Sequence, residues 1–353
     1  MNSKNDFPQI FPLQDYQRKL RKKKMSGVFL VLVILVMCVI SSIFPESYWG
    51  WINLFLVLLL VMDFILIYVD LNRYKIATLW DDFEYKKLVK QPFNFKAKDG
   101  MKQFAYIYIP ESINLENTSK KLPAVIGLHG WGSHHREMDR YCLPIVQKNQ
   151  CIYYTYDSVG QGLTPGDKSD FRQINDCQDF IDTIAALPYI DRKKIVVVGM
   201  SLGAMKAAVV AYPHPDVRGI IMMSGAYDLV YTKNRMSKLE YLLFKWNGFK
   251  FPNDEKELKK YSAVNYFRAE GICLRDDVEP TPNSARVFIM ANKNDPVVRY
   301  ENTLKAIQSL NLPPENYSIF EKGGHCFEGN EYWVANEINT FIKAILENEL
   351  KKY

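Results

Sequence analysis

The chain has 353 residues, of which 48% are hydrophobic and 24% charged, with a formal net charge of +6. That composition belongs to a folded protein and excludes wholesale disorder; no nucleic-acid recognition motif accompanies the modest charge, so nucleic acid is not an expected partner. The six cysteines show no C-x-x-C pair and no zinc-ligand spacing, so no metal site is expected. Their even number would allow disulfides, but the cytoplasmic placement argued below is reducing, so free thiols are expected.

Residues 1–24 form a basic tail in which Arg18, Lys19, Arg21, Lys22, Lys23 and Lys24 cluster just ahead of an apolar run. Residues 26–44 carry no charge, and at 1.5 Å per residue a helix there would span about 28 Å, close to the hydrocarbon thickness of a bilayer. A second run covers 51–69 with the single charge Asp63. Unpaired near mid-membrane that charge would cost roughly 2.5 to 3.5 kcal/mol, so it is expected to face the first helix or a polar boundary. Between the runs lies PESYWG, without lysine or arginine and with Tyr48 and Trp49, while Arg73 and Lys75 follow the second run. The positive-inside rule then predicts a two-helix membrane hairpin with both termini and the main domain on the cytoplasmic side of the cell membrane. A cleaved signal peptide fits less well: the apolar core is long, no small-residue cleavage site follows, and a second span comes after.

Residues 71–91 read as a charged connector. From about residue 92 to 353 strands and helices alternate, the pattern of an α/β domain with a largely parallel sheet. Residues 92–110 look like a hairpin turning at Asp99-Gly100. Strands are expected over 122–128, 151–156, 195–198, 217–223, 286–291 and 317–320, with helices over 176–187 and 332–350.

The stretch Ile195 to Ala208, IVVVGMSLGAMKAA, is the centre of this pattern. Four β-branched residues suit a strand buried on both faces. Gly199-Met200-Ser201-Leu202-Gly203 is a G-x-S-x-G sequence, and the alanines after it are good helix formers. Strand, sharp turn and helix make the setting of a nucleophile elbow that lifts Ser201 off the sheet end.

A serine hydroxyl needs a base, and the base needs an acid to orient it. Of the five histidines three precede the elbow, and His214 follows it closely and is expected at the surface. His325, in Gly323-Gly324-His325 after the last strand, is the candidate base. Asp295, in ANKNDPVV, is the favoured acid, with Asp228 in SGAYD as the rival. The oxyanion needs two backbone donors. The N–H of Leu202 and that of Trp131, within His129-Gly130-Trp131-Gly132, are the candidates. His129 is expected to organise that loop, and His134 and His135 to be exposed.

HGWG, DSVGQG, GMSLG, NDPV and GGH stand in the order and spacing of the α/β-hydrolase superfamily, which residues 92–353 resemble. ALPYIDRKKIVVVGMSLGA is similar to the dienelactone-hydrolase, acyl-peptidase and membrane-tethered serine-hydrolase branches, where an aspartate such as Asp191 opens the turn into the nucleophile strand. The resemblance implies an α/β-hydrolase fold, a Ser201-Asp295-His325 triad and neither metal nor organic cofactor. HGWG lacks a third consecutive glycine, so the hormone-sensitive-lipase oxyanion pattern does not carry over. Residues 229–285 are expected to form a cap insertion whose Leu239, Tyr241, Leu242, Leu243, Phe244, Trp246, Phe249 and Phe251 line an acyl pocket, face a membrane or fill ordinary core.

The leading reading is a membrane-anchored serine hydrolase of a carboxylic ester, with a lipid or other acyl ester as substrate. An acyl-aminoacyl-type peptidase or a thioesterase is the alternative. A non-catalytic membrane module would show a missing triad member, and none is missing here.

Overall fold

The chain divides into two compact units, Met1–Phe83 and Glu84–Tyr353. The structure, a computed structural model, describes residues 57–60, 62, 88–168, 171–246, 248–275, 277 and 279–347. The basic tail and the expected membrane helices over 26–44 and 51–69 lie outside the described residues, apart from 57–60 and 62, which are helical. Among the described residues no helix is long and apolar enough to cross a membrane.

The second unit opens with the hairpin β1 (Leu88–Lys96) and β2 (Lys102–Pro110). Its turn falls at Asp99-Gly100, where Gly100 takes φ +93° and donates its N–H to Ala97 O at 2.8 Å. Pro92 is tolerated in β1 because that strand lies at the sheet edge, where one side of its backbone needs no partner. The chain then runs β3 (Leu122–Leu128), α1 (Asp139–Asn149), β4 (Ile152–Tyr156), α2 (Arg172–Ala185), β5 (Ile190–Met200) and α3 (Leu202–Lys206). A single π turn, Ala207–Ala211, continues α3 before β6 (Val217–Met223). The insertion carries α4 (Leu229–Arg235), α5 (Lys238–Trp246) and α6 (Glu255–Lys260). The chain ends with β7 (Val287–Asn292), α7 (Glu301–Leu310), β8 (Tyr317–Phe320) and α8 (Glu331–Leu346).

One sheet of eight strands runs β1-β2-β4-β3-β5-β6-β7-β8. β2 is antiparallel to both β1 and β4, and every other neighbouring pair is parallel. The α/β expectation holds, and the strand positions hold to within a residue except at β1 and β5. Strand β1 begins at Leu88, four residues inside the expected connector, because Leu88–Gln91 pair with Ile107–Pro110 of β2. Strand β5 begins five residues earlier than the β-branched run, because Ile190 also pairs with Leu122 across a register shift. Alternation along the central strands explains why they read as continuous apolar runs. Ile195 and Val197 enter the core on one face with α2 and α3, whereas Val196, Val198 and Met200 enter the core on the other with α1 and α8. All five are buried, and each such side chain contributes about 1.5 to 3 kcal/mol on leaving water. Two-sided burial is what a parallel sheet between helix layers demands.

Candidate active site

Every candidate residue falls on the carboxyl rim of the parallel strands, the edge where open α/β sheets place their ligands. His129 follows β3, Asp157 follows β4, Ser201 follows β5, Asp295 follows β7 and His325 follows β8.

Ser201 sits in the turn between β5 and α3 with φ 55° and ψ −116°. A non-glycine residue there stores on the order of 1 to 3 kcal/mol of strain, held by its surroundings. The Ser201 N–H donates to Met223 O of β6 at 2.8 Å. A Cβ on Gly203 would collide with Leu128 O of β3, and one on Gly199 with Gly203 O. The two glycines of the motif are therefore required by close backbone approach, not by turn flexibility alone.

His325 Nδ1 donates to Asp295 Oδ2 at 2.7 Å. The other carboxylate oxygen of Asp295 accepts the N–H groups of Val297 at 2.8 Å and Val298 at 3.0 Å, which fix its orientation. With Nδ1 committed as donor, Nε2 is the nitrogen able to accept a proton. The glycine pair before His325 is tied down from the β7 side: Asn292 Nδ2 donates to Gly324 O, and Gly324 N–H donates to Asn294 Oδ1. The described residues include no hydrogen bond from Ser201 Oγ to His325, a contact that in free enzymes often closes only with substrate. Asp228 is engaged elsewhere. It caps α4 by accepting Tyr231 N–H at 2.9 Å and pairs with Lys305 at 2.8 Å. Of the two rival acids, Asp295 is the one beside His325.

The HGWG loop turns against the elbow, since a Cβ on Gly130 would lie 3.2 Å from Ser201 Cβ. Gly130 N–H donates to Glu137 Oε2 at 2.5 Å, and Gly132 N–H to Gln161 Oε1 at 2.6 Å. The N–H groups of Trp131 and Leu202 have no acceptor among the described residues. The two candidate oxyanion donors are thus those left over after their neighbours have been used.

His129 organises the loop as expected. Its Nδ1 donates to Gly130 O at 2.8 Å and its Nε2 accepts Ser158 N–H at 3.0 Å. Burial, with Lys206 nearby, pushes its pKa down to about 3, so the ring stays neutral.

The other histidine expectations need correction. His135 is buried, donating from Nδ1 to Asp157 Oδ1 at 2.9 Å and stacking on Tyr106 at 4.2 Å. His134 is half-buried and accepts Arg136 N–H. His214 is buried, bonded to Asp182 and accepting Asp216 N–H at 3.1 Å. Each lies in a polar loop by sequence, and only the packing of that loop onto the sheet buries it.

Lys206 was missed altogether. It is fully buried on α3, donates from Nζ to Ser158 Oγ at 2.7 Å and lies 5.3 Å from the Tyr156 ring centroid. Burial drives its pKa down to about 8, against the pull of Cys177, Asp176 and Glu137. Through Ser158 and His129 it is linked by hydrogen bonds to the HGWG loop. Lysine is a good helix former, so nothing in local sequence marks it as buried.

Among the described residues no group of His, Cys, Asp and Glu could hold a metal ion. None of the five described cysteines forms a disulfide, and Cys38 lies outside the described residues.

Aromatic side chains of the insertion between β6 and β7 reach Trp131 of the HGWG loop. Trp131 meets Phe249 edge-on at 4.9 Å, Phe249 meets Phe251 at 4.8 Å, and Phe244 of α5 meets Phe249 at 5.8 Å.

A nucleophile-elbow serine on an eight-stranded, mostly parallel sheet, with a histidine–aspartate pair at the same rim, defines the α/β-hydrolase class of serine hydrolases. The profile of the prolyl oligopeptidase family matches residues 168–349, more than half of the 353. The chain belongs to the prolyl oligopeptidase family. Solved structures agree on the fold. Acylaminoacyl peptidase from Pyrococcus horikoshii is 18% identical, with a TM-score of 0.57, over 76% of this chain and 43% of that one. A hyperthermophilic esterase from Pyrobaculum calidifontis is 16% identical, with a TM-score of 0.55, over 79% of this chain and 91% of its own. Prolyl oligopeptidase B from Galerina marginata is 15% identical, with a TM-score of 0.54, over 75% of this chain. The match spans only 38% of that oligopeptidase. No curated protein matches the chain.

Proposed function

We propose that the protein is a membrane-anchored hydrolase of carboxylic esters, acting through Ser201, His325 and Asp295 by way of an acyl-enzyme. The Asp295–His325 bond of 2.7 Å at the rim that carries the strained Ser201 is the observation that supports this most strongly. In the proposed cycle His325 Nε2 takes the Ser201 proton as Oγ attacks the carbonyl carbon. The N–H groups of Trp131 and Leu202 receive the oxyanion, and Asp295 holds the imidazolium in place. The tetrahedral intermediate collapses, and His325 returns the proton to the departing alkoxide. Water, deprotonated by the same nitrogen, then frees the acid.

The aromatic cap over Trp131 favours an apolar acyl group. The apolar runs 26–44 and 51–69, with the basic tail on one flank, support a membrane hairpin that leaves the catalytic domain on the cytoplasmic side. Amide cleavage is the second reading, favoured by the family and by the acylaminoacyl peptidase among its structural neighbours.

Labelling the full chain with a fluorophosphonate probe tests the proposal. Wild type is expected to label, Ser201→Ala to lose the label, and Asp295→Asn to label at least about a hundredfold more slowly, while Asp228→Asn labels normally. Slow labelling of Asp228→Asn with normal labelling of Asp295→Asn would exchange the acids. No labelling of folded wild type would overturn the hydrolase reading. Relative turnover of an acyl ester and an acyl-peptide of equal chain length then decides between ester and amide.

A further inference from the structure

Helix α5 is unusual for a helix of this domain: none of its nine residues is buried. Its inward side is aromatic, with Tyr241 and Phe244 packing near Phe251 and Phe249. Its outward side carries Leu239, Leu242, Leu243 and Trp246, spaced i, i+3, i+4 and i+7, and Leu239, Leu242 and Trp246 are 66%, 59% and 65% exposed. Four large apolar side chains in one stripe on a single helix face are more than scattered surface hydrophobics. Exposed basic residues, Arg235, Lys238, Lys245 and Lys250, border the stripe at both ends. Glu240, the single acid of α5, accepts Ser237 N–H at Oε2 and faces Arg299 with Oε1.

Such a helix, apolar on one stripe, ending in tryptophan and rimmed with lysine, suits the interface of an anionic bilayer. There the leucines enter the acyl boundary, the indole sits at headgroup level and the lysines reach anionic phosphates. A bilayer is also the surface to which the runs 26–44 and 51–69 are read as tethering this chain. From these features we propose that the outer face of α5 docks in the headgroup region of an anionic membrane. Docking there holds the aromatic path Phe244–Phe249–Trp131 between the lipid and the catalytic rim. For the substrate, and only there, the inference rests on the ester-hydrolase reading: it becomes a long-chain acyl ester drawn from the bilayer, not from solution.

The test uses the full chain in phosphatidylcholine–phosphatidylglycerol vesicles whose acyl chains carry bromine near the headgroup end. The chain has six tryptophans, so the wild-type emission minus that of Trp246→Phe isolates Trp246. Docking predicts that brominated lipid quenches this component, that Leu242→Asp removes the quenching, and that replacing the anionic lipid with phosphatidylcholine weakens it. An unquenched Trp246 component overturns docking. An unquenched component together with a dimer in detergent that Leu242→Asp dissolves assigns the stripe to a second copy instead. The functional arm compares a long-chain ester in vesicles with a soluble short-chain ester. Leu242→Asp is expected to lower kcat/KM about tenfold for the first and leave the second unchanged, since Leu242 lies outside the catalytic machinery. Quenching without fluorophosphonate labelling would leave docking standing and remove the hydrolase reading. Labelling without quenching would do the reverse.

Discussion

Two histidine–aspartate pairs stand at the carboxyl rim of the sheet, and they are built for opposite ends. His325 Nδ1 meets Asp295 at 2.7 Å, and His135 Nδ1 meets Asp157 at 2.9 Å. The His325 ring is 16% exposed and follows Gly323 and Gly324, with nothing within 4 Å of where a Gly324 Cβ would be. The His135 ring lies buried against Tyr106, and Asp157 also accepts the N–H groups of His135 at 2.6 Å and Leu163 at 2.9 Å. A Cβ on Gly162 would strike the Asp157 carboxylate, so the last glycine of DSVGQG is there to let the chain wrap that carboxylate. Burial alone would raise the Asp157 pKa. The charge and hydrogen bond of His135, helped by His129 and His134, outweigh it and hold the carboxyl well below the ordinary range. One pair presents a part-exposed ring to the rim from a loop that Asn292 and Asn294 hold in place. The other clasps the loops after β3 and β4 together. Pair identity and pair distance do not separate a base from a buckle; exposure of the ring at the rim does.

Removing His325 should give the largest effect. His325→Ala is expected to lower kcat/KM about ten-thousandfold on a soluble ester with the melting temperature nearly unchanged. Retention of activity within tenfold would break the contrast. Asp157→Asn should do the converse. It sets an amide NH2 against the buried N–H donors that the carboxylate accepts, at a cost of about 1 to 3 kcal/mol in urea unfolding, while turnover per folded molecule stays within about tenfold. The sign with pH follows from the depressed pKa: the contribution of Asp157 is present above the usual carboxylate pKa and lost as pH falls below it. The gap between wild type and Asp157→Asn should therefore narrow in acid. Unchanged stability with lost turnover would make Asp157 part of the chemistry.

The third prediction concerns Lys206, which supports the same loop through Ser158. Its pKa is lowered from 10.5 to about 8. Below pH 8 folded and unfolded chains both hold the proton. Between about 8 and 10.5 only the unfolded chain keeps it, so stability rises with pH across that window by about 3 kcal/mol. Lys206→Met should abolish that rise, as read from unfolding midpoints at several pH values. An identical slope in the variant would assign the rise to another group.

How much of this was visible in the residues alone follows from where each signal lives. The β-branched run of β5 and the glycines around Ser201 are local demands, and they placed the elbow correctly. The sequence favours Asp295 over Asp228 without excluding the rival, because both follow strands and only the folded rim shows which one His325 reaches. His135, His214 and Lys206 escaped because burial of a polar residue is decided by what packs over it, and loop composition or helix propensity says nothing of that. Helices α1 and α7 were unassigned for related reasons: Pro144 sits within α1, and α7 buries the polar Asn302 and Thr303 along with Ala306 and Leu310. The expected continuous helix after Ser201 is interrupted too, by a π turn.

The seat of Ser201 is assembled from parts far apart in the chain. Its N–H reaches Met223 on β6, Gly203 lies against Leu128 on β3, and Gly130 abuts the serine itself. None of these contacts exists until the centre of the sheet has joined, so competence to react with a fluorophosphonate is a clock for refolding. It should start only when β3, β5 and β6 lie side by side, well after helical signals have recovered, because pairing across such loops is slow.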